Sequence, residues 1–279
     1  MTEAEALARL RLARTDGIGP VNFRRLLDQH GSATAALGAL PRLAARRAAP
    51  LTLCPEADAV REMAAVQRLG GRFLFAGTPP YPALLDMQED APPVLALLGD
   101  PAALTGRAVA LVGARNASAG GRRMAEDLAE QLAAAGLVVV SGLARGIDAA
   151  AHIGALRRGR TVAAVAGGLD QPYPPEHAAL QARIAAEGGA ILAEAPLGTA
   201  PLARHFPRRN RIVASLSLGV VVIEAAPRSG SLITARLALE AGRELFAVPG
   251  SPLDPRCRGS NDLIRQGAHL TESAEDVLE

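Results

Sequence analysis

The sequence predicts an α/β fold: a doubly wound, mostly parallel sheet that follows a small all-helical N-terminal domain. From about Val109 onward, apolar runs of strand length alternate with segments of helical composition. This alternation is the order of a parallel sheet with crossover helices. The runs are almost continuously apolar, and strands of that kind are buried on both faces. We therefore expect a helical domain over residues 1–66 and an extended Rossmann-like domain over residues 67–279.

Two helices joined by a glycine turn are predicted at the start of the chain. Residues 2–13 have helical composition, Asp16–Pro20 (DGIGP) predicts a tight turn, and Val21–Gln29 predicts a second helix. The outline is typical of a helix-hairpin-helix unit, whose turn amides can face a phosphate. An ordinary small helical bundle with a glycine turn explains the same residues and is the simpler interpretation, since short motifs often match by chance.

Prolines punctuate residues 72–105, which we interpret as the join between the two domains. Two short apolar runs, Phe73–Phe75 and Val94–Leu98, are candidates for edge strands in this stretch.

The regular part of the chain predicts six strands and five helices. The expected strands are Val109–Val112, Leu137–Val140, Thr161–Ala166, Ala190–Ala193, Val220–Glu224 and Leu245–Val248. The expected helices are Gly121–Ala135, Ala149–Arg157, Glu176–Glu187, Asn210–Ser217 and Leu232–Ala241. We expect Asp148 and Ser231 to be N-caps, because their side-chain oxygens accept bonds from the first free amides of a helix.

Composition narrows the classes of function. All 30 cationic residues are arginine, so a Walker A loop and Schiff-base chemistry, which both need lysine, are excluded. The formal net charge is only +2, so binding of nucleic acid would need a local patch. Cys54 and Cys257 are far apart and form no metal-ligand or disulfide pattern. We therefore expect no metal, no cofactor, no membrane partner and a cytoplasmic location, since signal-peptide and membrane-spanning patterns are also lacking.

The loops after the predicted strands are rich in glycine, serine and arginine. In a doubly wound sheet, ligands bind outside the carboxyl ends of the strands. The relevant turns are Gly113–Arg115, Ser141–Gly146, Gly167-Gly168, Glu194, Glu224 with Arg228–Ser231, and Pro249-Gly250. Together they favour an anion site, although tight turns use glycine in any case. A dinucleotide is disfavoured, because the first turn lacks the G-x-G-x-x-G spacing and no acid ends the second strand.

The most basic segment is Arg204–Arg211 (RHFPRRNR), with four arginines and one phenylalanine in eight residues. Arginines for phosphates beside an aromatic face for a base are typical of single-stranded nucleic acid sites, where stacking is worth about 1–3 kcal/mol per base. A solvated basic helix start with Phe206 in the core is the alternative. His152, His177 and His205 are isolated and no nucleophile elbow occurs, so we do not expect an enzyme.

Six motifs resemble the DprA/Smf family of DNA-processing proteins. They are VALVGARNAS, VVVSGLARGIDAAAH, GGLDQPYPPEH, HFPRRNRIVASLS, VVIEAAPRSGSLITARLALEAGRELFAVPG and GSNDLIRQGA, in order over about Val109–Ala268. The N-terminal helices resemble the small SAM-like domain of that family. The resemblance implies a homodimer that binds and protects single-stranded DNA during natural transformation, in competent cells, and loads the RecA recombinase for DNA recombination.

The resemblance also implies which residues bind DNA. Combined with the strand-end turns, it predicts a binding set of Gly113, Arg115, Ser141, Gly142, Arg145, Gly167, Phe206, Arg208, Arg209, Asn210, Arg211, Ser229 and Gly230. Dimer and RecA contacts are expected within about Leu232–Gly267. Many members of the family continue into a winged-helix domain, which we expect to be missing from a sequence that stops at Glu279.

Two other functions stay open. Glu224 and the glycine-rich turn after it faintly resemble the LOG family of nucleoside monophosphate hydrolases. Here the turn reads Pro227-Arg-Ser-Gly-Ser-Leu-Ile-Thr, and it lacks the carboxylate that serves that family as general acid or base. A bare nucleotide carrier would bind nucleotides without any dependence on oligonucleotide length.

Overall fold

The computed structural model describes residues 1–44 and 52–279. The chain divides into two compact units, Met1–Ala96 and Leu97–Glu279. No helix in the described ranges is both long enough and apolar enough to cross a lipid bilayer.

The first unit is mainly helical. Its elements are α1 (Glu3–Ala13), α2 (Pro20–His30), α3 (Ala33–Ala44), α4 (Glu56–Arg68), β1 (Arg72–Phe75) and α5 (Ala83–Asp86), and β2 (Val94–Gly99) spans the division. The predicted turn joins α1 to α2: Gly17 takes a positive φ of 76° and Gly19 is the N-cap of α2. Phe23 of α2 packs with Leu12, Leu37 and Leu40 from α1 and α3.

A second cluster in the first unit contains residues from both sides of the predicted boundary at 66/67. Leu10 of α1 and Ala59 of α4 pack against Phe75 of β1 and Val94. Part of the segment interpreted as a join therefore contributes to the core of the first unit, and both of its apolar runs form strands. The division by contacts falls at 96/97.

The second unit alternates strands and helices. The strands are β3 (Ala108–Gly113), β4 (Val138–Ser141), β5 (Thr161–Val165), β6 (Ala190–Ala193), β7 (Gly219–Ile223), β8 (Glu244–Ala247) and β9 (His269–Leu270). The helices are α6 (Ala119–Ala134), α7 (Ile147–Ala155), α8 (Ala178–Ala186), α9 (His205–Ser215), α10 (Gly230–Glu240), α11 (Arg258–Arg265) and α12 (Glu275–Leu278). Short 3-10 turns occupy Pro101–Leu104, Pro175–His177 and Pro255–Cys257.

The seven strands lie in the order β6-β5-β4-β3-β7-β8-β9, and the pairs from β6 to β9 are parallel. The chain runs outward from β3 to β6 and then returns to pair β7 with the other side of β3. Gly113 at the end of β3 lies opposite Ile223 at the end of β7. The fold class is therefore confirmed, and the topological switch point lies between β3 and β7, where such sheets bind ligands.

Three local predictions are wrong. The helix expected at Asn210 begins at His205, so the basic segment lies on its first turns. Asp148 is the second residue of α7, whose N-cap is Gly146. Ser229 is the N-cap of α10, and its side chain accepts from the Ser231 amide. Strand β9 was not expected, because its two residues, His269 and Leu270, carry no apolar run.

Candidate nucleic-acid interface

A cavity of about 660 Å³ opens at the switch point. Its lining includes Val112 and Gly113 of β3 and the buried Val213 of α9. Its walls come from the loops after β3, β4 and β7 and from the first turns of α9 and α10. Four arginines line it, Arg115, Arg209, Arg228 and Arg256, against the single acid Asp148. The cavity therefore has an excess of positive charge.

Arg209 is a buried cation in this cavity. Its residue surface is only 5% exposed, and its Nη1 donates to the Ala164 carbonyl at 3.0 Å. Burial lowers the pKa of the Arg209 guanidinium, and the charge of Asp148 opposes that shift. A Cβ at position 142 would overlap the guanidinium, so a larger residue there would displace the Arg209 side chain. The Nε of Arg209 has no hydrogen-bond partner among the described residues.

The Phe206 ring lies close to two arginines and one tyrosine. The Arg115 guanidinium lies over its ring at 4.9 Å from the centroid, and that of Arg209 lies 6.0 Å from the same centroid. Tyr173 packs edge-on against the ring, with centroids 5.6 Å apart. A second cavity, of about 380 Å³, is lined by Phe206 and Tyr173 and shares Arg115 with the first. This cluster offers aromatic faces to a base and cations to a phosphate.

The N-terminus of α10 forms the opposite wall. Ser229 caps the helix, and Gly230 leaves open space on its side-chain side. Amides at a helix start and the positive end of its dipole attract anions. Arg228 precedes the cap with a positive φ of 69°, a strained conformation for a residue with a Cβ. This turn places an arginine beside the helix start.

Asp148 organises the loop after β4. Its carboxylate accepts from the amides of Gly142 at 3.2 Å and Ala144 at 3.3 Å. Burial raises the pKa of this carboxyl above its ordinary value, while Arg209 and the two amides oppose that shift. The carboxylate therefore fixes the backbone that faces Arg209, which is a positioning role.

Glu224 ties the end of β7 to the start of α6. It has a positive φ of 51°, and its carboxylate accepts from the Ser118 amide at 2.8 Å and from the Ser118 hydroxyl. Glu224, Asp254 and Cys257 bring potential metal ligands within 4.8 Å of one another. Ser118 already occupies the first carboxylate, and Arg256 forms an ion pair with the second at 2.7 Å. Both carboxylates of this group therefore already have protein partners.

The structure brings eight of the predicted residues together at the two cavities. They are Gly113, Arg115, Gly142, Phe206, Arg209, Asn210, Ser229 and Gly230.

The other five predicted residues line neither cavity. Ser141 is fully buried and donates to the Leu111 carbonyl at 2.7 Å, so it joins β4 to β3. Arg145 pairs with Glu176 outside the cavities. Gly167 is buried beneath the loop at Thr199. Arg208 and Arg211 both pair with Glu194, at 2.8 and 2.7 Å.

The predicted binding set omits Tyr173, Arg228 and Arg256, which line the cavities. Tyr173 is one of only two tyrosines in the chain, and this rarity is a signal that could have found it. Arg228 lies in the turn Arg228–Ser231, whose glycine and serines already indicated an anion site. Arg256 follows a strand end by nine residues and carries no comparable signal.

Comparison with known proteins agrees with this geometry. The family model for DNA recombination-mediator protein A matches residues 72–279. The chain belongs to this family. A second model, the DprA-like N-terminal HHH domain, matches residues 3–65. The helix-hairpin-helix interpretation therefore prevails over the ordinary helical bundle.

Relatives in the recombination-mediator family support the assignment. Protein Smf of Escherichia coli is 47% identical over 200 residues, which cover 71% of this chain and 54% of that protein. The chain thus spans about half the length of that relative. DNA processing protein DprA of Bacillus subtilis is 42% identical over 221 residues, covering 78% of this chain and 74% of its own.

Solved structures of family members share the fold. DprA from Streptococcus pneumoniae superposes with a TM-score of 0.82 at 32% identity, over 99% of this chain and 97% of that one. A structure of DNA processing protein A from Helicobacter pylori, described for its single-stranded DNA binding mode, has a TM-score of 0.67 at 31% identity. It covers 75% of this chain and 94% of that chain.

Proposed function

We propose that this protein binds single-stranded DNA at the carboxyl edge of its parallel sheet. The observation that carries the proposal is the convergence of Arg115 and Arg209 on the Phe206 ring beside the 660 Å³ cavity. Two like charges 4.9 and 6.0 Å from one ring repel each other, and a phosphate between them would relieve that repulsion. The description of the Helicobacter pylori relative supports the same ligand.

An unpaired strand suits this site better than a duplex. Bases in a duplex are stacked on each other and present only their edges, whereas Phe206 and Tyr173 offer ring surfaces. Tyr173 is 42% exposed, so a base can reach it. Arginine and aromatic groups side by side are the arrangement that binds single strands with little sequence preference.

Binding of labelled oligothymidine, compared with a duplex of equal length at two salt concentrations, tests the proposal. Arg115→Ala removes one phosphate contact and the cation over Phe206, and we expect about a tenfold or larger loss of affinity for the single strand. Arg158→Ala is the matched control, because Arg158 is an exposed arginine that pairs with Glu130 beyond the C-terminus of α7. Equal binding by wild type and Arg115→Ala, with both folded, rejects the site.

The proposal includes binding without chemistry. The carboxylates nearest the cavity support this, since Asp148 is held by loop amides and Glu224 by Ser118. Incubation with AMP should therefore release no free adenine. Release that depends on Glu224 would favour the nucleotide hydrolase instead.

We also propose that the protein forms a homodimer, loads RecA onto single strands, acts in transformation and is located in the cytoplasm. Within Leu232–Gly267, the exposed apolar side chains Ile233, Leu239 and Leu253 support a protein-contact surface.

Light scattering of the purified chain should give the mass of a dimer. RecA filament formation on single strands covered by a single-strand-binding protein should accelerate when this chain is added. The mass of a monomer would reject the homodimer, and unchanged filament formation would reject the loading of RecA.

A further inference from the structure

The charge around the 660 Å³ cavity exceeds what an internal phosphodiester needs. Arg256 is neutralised by Asp254, whose two oxygens accept from its Nε at 3.0 Å and its Nη2 at 2.7 Å. Arg115 and Arg228 form no ion pair within the described ranges. These two cations and Arg209, set against the single carboxylate of Asp148, leave two uncompensated positive charges. A phosphodiester carries one negative charge, whereas a phosphomonoester carries about two near neutral pH.

The cavity extends to residues of the core. Its lining includes Gly113 and the buried side chains of Val112 and Val213. The second cavity, which shares Arg115, Asn210 and Gly230 with the first, provides room for the neighbouring nucleotide against Phe206 and Tyr173.

Two independent donors line this space. One is Arg209, a residue that is 5% exposed and whose buried Nε has no partner among the described side chains. The other is the N-terminus of the eleven-residue helix α10, with Ser229 as its cap and open space beside Gly230. A guanidinium and helix amides that line one cavity form a charge-assisted site for a phosphate with several free oxygens.

We infer that the cavity recognises a terminal phosphomonoester of a DNA strand, with the adjoining nucleotide stacked beside Phe206. The inference rests on the proposed single-strand binding and specifies which part of the strand enters the cavity. Arg228 lies next to the helix cap and lines the cavity without an ion pair in the described ranges, so we expect it to distinguish a terminal phosphate from an internal one.

Competition of unlabelled oligothymidines against an internally labelled probe tests this inference on the full chain. The competitors carry a 5′-phosphate, a 3′-phosphate or hydroxyls at both ends, and dTMP is a further competitor. A hydroxyl-ended oligomer two nucleotides longer matches the total charge of a phosphorylated one. We expect one phosphorylated end to compete about tenfold better than the charge-matched oligomer. The preferred end identifies the polarity of the bound strand.

Arg228→Gly removes the side chain and suits the positive φ of 69°, so the variant should fold. It should bring the ratio between phosphorylated and charge-matched competitors close to one, whereas Arg158→Ala should keep the wild-type ratio. Equal competition by both oligomers with the wild type overturns end recognition and leaves single-strand binding intact. Competition by dTMP as strong as that of the phosphorylated strand also overturns it, in favour of a nucleotide site. Failure of every oligomer to bind rejects the proposed function as well.

Discussion

At the scale of single residues, the site depends on a buried arginine that its neighbours are built to accommodate. The Arg209 guanidinium occupies the space that a side chain at position 142 would need. The sequence marked both residues, one by the arginine cluster and the other by the glycine turn. It did not reveal that they touch, because the contact arises only when α9 packs beside the end of β4.

Gly142→Ala tests this contact. The added methyl should displace the Arg209 guanidinium and lower the free energy of unfolding by about 1–3 kcal/mol, the usual cost of overpacking. Affinity for single strands should fall with it. Gly120→Ala is the control, because a Cβ there meets only the Ser118 hydroxyl at 3.7 Å. Denaturant titration and oligonucleotide binding measure both effects, and a Gly142→Ala protein as stable as Gly120→Ala contradicts the packing argument.

Because His152 is buried, we expect the folded protein to lose stability in acid. The Thr161 hydroxyl donates to the Val139 carbonyl at 2.7 Å, so it must accept from the Nδ1–H of His152, also at 2.7 Å. Burial, with the charges of Arg209 and His177, lowers the pKa of His152 from 6.5 to about 3. Between these values the unfolded chain binds a proton that the folded chain does not, so stability must fall as the pH falls.

Denaturant titrations of wild type and His152→Gln between pH 7 and pH 4 isolate this contribution, because Asp148 and the other carboxyls titrate in both proteins. We expect the stability of the wild type to fall more steeply below its ordinary histidine pKa of 6.5 than that of the variant. Parallel curves would show that His152 is protonated in the folded protein.

At the scale of elements, the limits of the apolar strands were predictable, whereas the starts and N-caps of some helices were not. Each of the six expected strands forms within one residue of its predicted limits, because burial on both faces requires the continuous apolar runs that the sequence displays. The start of α9 was missed because Pro207 suggested a boundary, whereas proline is tolerated in the first turn of a helix. The N-caps were misplaced because serine and aspartate near a helix start can also bond to loop amides.

Glu224 couples two elements, and its substitution has a predictable effect. Glu224→Gln removes the negative charge at the N-terminus of α6 and weakens its bonds to Ser118. We expect a loss of about 1–2 kcal/mol in the free energy of unfolding. Affinity for DNA should fall as well, because the loop between β3 and α6 carries Arg115. Glu240→Gln is the control, because Glu240 is an exposed residue on α10. Equal stability of the two variants would show that Glu224 does not couple β7 to α6.

At the scale of the whole molecule, topology explains why the site lies where it does. The sequence predicted a parallel sheet and placed the ligand at its carboxyl edge, but the strand order was not readable. Only the return of β7 to the side of β3 brings the Arg228 turn opposite Arg115. Arg208 and Arg211 looked equivalent to Arg209 in the sequence, yet Glu194 pairs with both, so nearness in sequence did not determine their roles.

The dependence of binding on salt reports how many phosphates the whole surface contacts. The logarithm of the binding constant for a single strand should fall linearly with the logarithm of the salt concentration, with about 0.7 in slope for each phosphate contacted. Arg115→Ala should reduce the slope by about one contact. Arg158→Ala should leave it unchanged, and an affinity independent of salt would contradict an arginine site for phosphates.

Photochemical cross-linking of oligothymidine to the full chain, followed by mapping of the modified peptides, locates the bound strand on the protein. An arginine-lined site at the carboxyl edge of the sheet predicts cross-links at Tyr173 and Phe206, which Arg115→Ala should weaken. Cross-links confined to the helical unit, or to the opposite edge of the sheet where Arg158 lies, would contradict the account.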